Sequence, residues 1–437
     1  MDTKERIARE LAAALLAGAW EPEGMIARSG TLLGTEKPWL RAALIHGLIA
    51  GTRAGYPPPI DAIARHLMAA DRFDRLVAGR LQAIRARPAM PEPACFAPLE
   101  RFRGLDIPHL VAEAELADWL GLSPGRLDWF ADRRHQHGRA TEPKLQHYDY
   151  AAVPRRDRPP RLIEAPKPEL KRIQRRILRG ILDQMPVHDR AHGFVAGRSC
   201  LSAAHIHAGE AVVVALDLEN FFWSIPAGRI IGLFRMLGYP AGVARLLAGL
   251  CTTTTPRPVL RDFGAAFPIH LVTRPHLAQG APTSPALANL VAYGLDQRLA
   301  GLAASFDAHY TRYADDMMLS GGAAFAAGID RFLAIVEQVV AESGFRLNRR
   351  KTRIMRRGGR QKILGIVVNA HCNPQRGEYD TLKATLHNCV RHGPAAENRS
   401  ARPDFRAHLA GRIAWIAAIN ERRGRRLLGL FETIAWP

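Results

Sequence analysis

The sequence predicts a mixed α/β chain: a strand-and-hairpin centre carrying acidic residues, with helical segments before and after it. Three observations lead there. Residues 211–216 are a continuous apolar run, Ala-Val-Val-Val-Ala-Leu, that suits a buried strand and ends at Asp217. Residues 309–320 read as an aromatic-rich strand, a tight turn and a second strand, with Asp315 and Asp316 at the tip. Residues 1 to about 100 and 380–437 carry apolar side chains at helical spacing, such as Ile7, Leu11, Leu15 and Leu16.

Two adjacent carboxylates repel each other unless a cation sits between them. An isolated Asp-Asp pair is usually a solvated turn. Here a third acid, Asp217, closes the upstream strand, and Phe221 and Phe222 follow it. Mg²⁺ takes hard oxygen ligands, commonly one or two carboxylates plus substrate phosphates. One carboxylate at a strand end and two at a hairpin tip can hold two ions, a pair that stabilises the attacking and leaving oxygens of a phosphoryl displacement.

The bulk numbers agree with a polyanionic partner. The 437 residues carry a net charge of +20, with 47% apolar and 23% charged residues, so two or three domains with real cores are expected. Clustered arginine at that charge is the footprint of a nucleic-acid binder. No apolar run reaches spanning length, so no membrane is expected. The first residues lack a signal-peptide layout, and five cysteines form no Cys-x-x-Cys pair; reduced thiols in a cytoplasmic protein are expected, not zinc or disulfides.

In chain order, residues 1–100 predict a helical accessory domain, with apolar segments around 38–50 and 60–85 and a proline-rich linker at 88–98. Residues 107–133 carry two short helices, the second with Ser123 as N-cap and Pro124 at its first position; a packed pair is expected rather than a DNA-reading unit. From Gln146 the pattern turns to strands, then to the basic segment from Lys167. A hairpin bringing Arg161 together with Lys171 or Arg172 would clamp a triphosphate, and a solvated helix face is the plainer alternative. The glycine-flanked loop 191–199 could pass a nucleic-acid backbone, with Arg198 on a phosphate.

Further on, Gln279-Gly280-Ala281-Pro282-Thr283-Ser284-Pro285 predicts a rigid turn in which Ser284 caps a helix running through Leu287, Leu290, Val291 and Leu295. A long helix over about 325–343 is expected to end at Gly344. The segment 346–362 is rich in Arg and Lys with no acid, so Arg349 and Arg350 must face polyanion or solvent. Residues 363–369, with Leu364 and Gly365, read as the edge of a strand pair. Basic amphipathic helices close the chain.

The acid after the first strand, the Gln-Gly-Ala-Pro-Thr-Ser-Pro turn, the Tyr313-Ala314-Asp315-Asp316 box and Leu347-Asn348-x-x-Lys351-Thr352 together resemble reverse transcriptases. Over 107–437 the resemblance is to the bacterial enzymes, nearest the retron type. It implies a right-hand polymerase: α/β palm and fingers (101–375), helical thumb (376–437), and an all-α extension (1–100). It implies that Asp217, Leu218, Asp315 and Asp316 hold two Mg²⁺ ions, with Mn²⁺ as a substitute, and that Lys351 matches the lysine thought to protonate pyrophosphate. It places Arg161, Lys171, Arg172, Phe221, Phe222 and Gln279 around the dNTP, Phe222 as a gate against the 2′-hydroxyl. Arg198, Tyr313, Arg349, Arg350, Leu364 and Gly365 fall to nucleic acid.

The implied partners are a structured non-coding RNA that serves as template and primer, its DNA product, and a separate effector protein in antiphage defence. Two boxes depart from the retron pattern. Ile363-Leu364-Gly365 stands where Val-Thr-Gly is usual, and no asparagine between Phe221 and Ala288 supplies an Asn-Ala-x-x-His box. A non-retron defence or group II-like enzyme, and a non-catalytic RNA-binding protein, are the competing readings.

Overall fold

The computed structural model describes residues 3–16, 22–33, 48, 58–70, 73, 95–133, 136–137, 142–155, 158–263 and 268–436. Most of the expected segment around 38–50, all but Phe73 of the later part (71–85) of the one expected around 60–85, and most of the 88–98 linker lie outside them. The chain forms two compact units, residues 1–186 with 220–294, and residues 187–219 with 295–437.

In the first unit, helices Thr3–Leu16, Pro22–Leu33 and Ile60–Met68 bury Ile7, Leu11, Leu15, Met25, Ile63 and Leu67 in one cluster. The i, i+4 leucine spacing that predicted the first helix is the face it buries. Helices Glu113–Leu120 and Pro124–Phe130 form the expected packed pair. Ser123 Oγ accepts from the Arg126 amide, and Leu116, Leu120 and Leu127 are buried. Strands β1 (Tyr148–Arg155) and β2 (Arg158–Pro166) pair antiparallel, Ala152 opposite Leu162. Helix Pro168–Gly180 follows, with Leu170, Ile173 and Ile177 inside and Arg172, Arg175 and Arg179 outside.

Two sequence expectations are corrected here. Ser284 does not cap its helix: Thr283 stands before the first turn with helical dihedrals, and Ser284 is already the first helical residue. That helix stops at Val291 and a new one runs from Tyr293 to Ser305, so Leu295 lies on the second.

The second unit is built on a four-stranded antiparallel sheet in the order β4-β5-β3-β6, with β3 Val212–Asp217, β4 Ala308–Tyr313, β5 Asp316–Gly321 and β6 Arg353–Arg356. Val212, Val213 and Val214 are fully buried, which is why β3 reads as an unbroken apolar run. The expected helix over 325–343 is two, Ala323–Ala327 and Ile329–Glu342, parted at Gly328. Strands β7 (Lys362–Ile363) and β8 (Ile366–Val367) make a small hairpin whose turn residues, Leu364 and Gly365, both have positive φ. Helices Arg376–His392, Phe405–Ile419 and Glu421–Glu432 close over Leu382, Leu386, Leu409, Ile413, Ile416 and Leu427. No helix among the described residues is long and apolar enough to cross a membrane.

Candidate active site

The register of β3 against β5 sets the centre of the second unit. Asp217 pairs with Asp316 at the sheet end, and Tyr313 pairs with Asp316 across the β4–β5 turn. A two-residue turn, Ala314-Asp315, joins those strands, with Ala314 at φ 57°. The Leu218 amide donates to the Asp315 carbonyl (2.9 Å), and the Asn348 amide donates to the Asp217 carbonyl (2.8 Å). Backbone bonds therefore fix the strand end that bears Asp217 to both the turn and the segment carrying Lys351. Leu218 buries its side chain, so only its backbone carbonyl could serve as a ligand.

Asp217 is buried, and Lys351 Nζ donates to its Oδ2 at 2.5 Å. The Asp316 carboxyl is pushed up to about 6, by burial first and then by the charges of Asp315 and Asp217, with Lys351 opposing. Three carboxylates thus converge with one ammonium beside them. Among the described residues no three metal-ligating side chains already stand at closed ligand spacing. The donor set nonetheless fits a hard cation: all its side-chain donors are carboxylate oxygens, and the charges of Asp315 and Asp217 add to burial in raising Asp316.

Around the turn, Tyr313 is half-buried, and the ring of Phe194, 53% exposed, lies 6.4 Å from it. Arg198 is held by its own loop. Its Nη1 donates to the carbonyls of His188 (2.7 Å) and Ala191 (2.8 Å), and its Nη2 to Asp189 (3.3 Å). The guanidinium staples its own loop. Arg349 donates through Nε to Glu337 (2.9 Å), while Arg350 is exposed. Leu364 and Gly365 form the hairpin turn already described.

The residues expected around a nucleotide lie in the first unit. Arg161 Nε donates to Gln279 Oε1 at 3.1 Å. Arg172 is exposed and paired with Glu169 one helical turn back (2.8 Å), whereas Lys171 is half-buried. Phe221 is 4% exposed and packs into the core, whereas Phe222 is half-buried.

Sequence reasoning missed what orders that corner. Glu164, fully buried on β2, accepts from Thr255 Oγ1 (2.7 Å), Trp223 Nε1 (3.2 Å) and His276 Nε2 (3.1 Å). Its amide also donates to the Gln279 carbonyl (2.9 Å). Burial alone would push this carboxyl up; the His276 ring and the hydroxyl and indole donors outweigh it and hold it below its usual range. The only signal in the sequence is an acid inside an apolar strand.

Residues 153–368 match the family described as Reverse transcriptase (RNA-dependent DNA polymerase). Over 322 residues the chain is 41% identical to the Retron Mx65 reverse transcriptase of Myxococcus xanthus, covering 74% of this chain and 71% of that protein. The chain belongs to the retron reverse transcriptases. It is also 38% identical over 344 residues to the Retron Mx162 reverse transcriptase of the same organism, covering 75% and 68% of the two chains. With the Retron Ec86 reverse transcriptase of Escherichia coli it shares 30% identity over 269 residues, 61% of this chain and 74% of that one. The retron reverse transcriptase family therefore includes a member with Ile363-Leu364-Gly365 and no Asn-Ala-x-x-His box ahead of Gln279. As a member it is an RNA-directed DNA polymerase.

Proposed function

We propose that this reverse transcriptase copies a structured non-coding RNA, primes from a 2′-hydroxyl of that RNA, and leaves DNA joined to RNA. The observation that carries the chemistry is the register that pairs Asp217 with Asp316 and sets Asp315 beside them. Asp217, Asp315, Asp316 and the Leu218 carbonyl would hold two Mg²⁺ ions. Such ions supply charge stabilisation to the attacking and leaving oxygens. Arg161 with Lys171 or Arg172 grips the triphosphate; the half-buried Lys171, not tied up by Glu169, is the better placed of the two. Gln279, bonded to Arg161, lies against the incoming nucleotide. Phe222 excludes the ribose hydroxyl, and Lys351 gives a proton to the departing pyrophosphate. In the cell this synthesis serves antiphage defence, in the cytoplasm, together with a separate effector protein.

Asp315→Asn or Asp316→Asn tests the reading. DNA synthesis on a primed RNA should vanish in either variant while RNA affinity holds. Synthesis that persists in these variants would refute the assigned acids.

A further inference from the structure

A fully buried ion pair lies behind the Ala314-Asp315 turn. Arg312, on β4, donates through Nε to Asp296 Oδ1 (2.7 Å) and through Nη2 to Asp296 Oδ2 (2.6 Å). Both side chains are 0% exposed. Tyr310 donates its hydroxyl to Asp296 Oδ1 at 2.8 Å. Arg312 Nη1 turns the other way and donates to the Ala314 carbonyl at 3.1 Å. That carbonyl belongs to the one turn residue with left-handed backbone, the residue before Asp315.

The main chain of Arg312 is held as firmly. Its amide donates to the Arg190 carbonyl (2.8 Å), and its carbonyl accepts from the His192 amide (2.7 Å). Arg198 pins this same loop through the carbonyls of His188 and Ala191. At Gly193 an added Cβ would lie 2.6 Å from the Ala314 nitrogen, so the loop presses directly on the turn.

We propose that Arg312, oriented by Asp296 and Tyr310, is a positioning residue that sets the Ala314 conformation and through it the aim of Asp315 and Asp316. A guanidinium suits the role because its rigid fork can bind a carboxylate at one edge and still reach a carbonyl with the remaining nitrogen. An ammonium cannot span both. A buried pair kept only for stability could be exchanged for apolar side chains without functional loss. The bond to Ala314 is the part that such an exchange removes.

The inference rests on Asp315 and Asp316 being the reacting acids, so Asp315→Asn accompanies every assay. The full-length protein is tested on a synthetic RNA template with an annealed DNA primer. The main variant combines Arg312→Met, Asp296→Leu and Tyr310→Phe, so that no member of the cluster is left buried without a partner. It should melt near the wild-type temperature, with dNTP KM and RNA affinity unchanged and kcat down by about a hundredfold, the scale of a small misplacement of reacting groups. Arg312→Lys is the second variant, should the triple substitution fail to fold. It keeps the charge against Asp296, and kcat should fall by about tenfold at unchanged KM as the link to Ala314 is lost. A folded triple variant or an Arg312→Lys enzyme with wild-type kcat would overturn the positioning role. If Asp315→Asn is itself active, the assignment of the acids is what has failed.

Discussion

At the scale of single residues, Asp316 carries the clearest energetic signature. Its carboxyl is raised from an ordinary 3.8 to about 6, so its contribution favours the folded state below pH 4 and is lost as pH rises through 6. At neutral pH without metal, the ionised Asp316 therefore opposes folding. Asp316→Asn should raise the melting temperature in chelator at pH 7.5, by roughly 2–4 °C for each kcal/mol relieved. The gain should shrink at pH 5, where Asp316 is already protonated; equal shifts at both pH values would contradict the account. Phe222 makes a second prediction. Phe222→Ala should increase ribonucleotide incorporation on an RNA template, and unchanged sugar selectivity would remove it as the gate.

The convergence of the three aspartates was legible because an acid at the end of a valine run and a pair at a hairpin tip both put carboxylates at strand ends. Arg312 and Asp296 were not. A lone arginine inside a strand announces that it needs a counter-charge, but 41 acids were available to supply it. Only the fold selects Asp296. The same holds for Arg198, whose glycine-flanked loop is readable while the direction of its guanidinium is not.

At the scale of elements, strand patterns transferred from sequence to structure better than helix ends did. β3, β4 and β5 lie where alternation and apolar runs put them, since burial on both faces leaves a strong trace. The helix after Pro285 ends at Val291, short of Leu295, and the helix over 325–343 is divided at Gly328. Apolar periodicity continues across both breaks, so composition could not mark them. Glu164 ties β2 to Trp223, Thr255 and His276 through three side-chain donors, and its amide ties β2 to Gln279. Glu164→Ala should therefore cost about 3 kcal/mol or more in denaturant unfolding, because it leaves the buried donors of Trp223, Thr255 and His276 unpaired at about 1–3 kcal/mol each. A loss under 1 kcal/mol would mean that the cluster is relieved by water. Gly193→Ala should lower activity as well as stability, because its methyl meets backbone of the Ala314 turn and no flexible side chain can yield. Wild-type synthesis by this variant would show that the turn tolerates displacement.

At the scale of the whole molecule, the net charge of +20 and the largely exposed basic run from Arg349 to Arg360 predict binding dominated by phosphate contacts. RNA affinity should fall by about a thousandfold between 50 and 200 mM salt if six or so phosphates are neutralised. A flat salt response would point to a far smaller electrostatic footprint. Family membership was legible from four motifs read together, and the two missing boxes did not displace the chain from the retron group.

The most direct test is to purify the protein from its host and sequence the nucleic acid it carries, beside Asp316→Asn prepared in the same way. The wild-type protein should carry a short DNA of defined sequence covalently joined to RNA, and the variant the RNA alone. DNA with no RNA linkage, or the same DNA on the variant, would contradict RNA-primed synthesis at Asp217, Asp315 and Asp316.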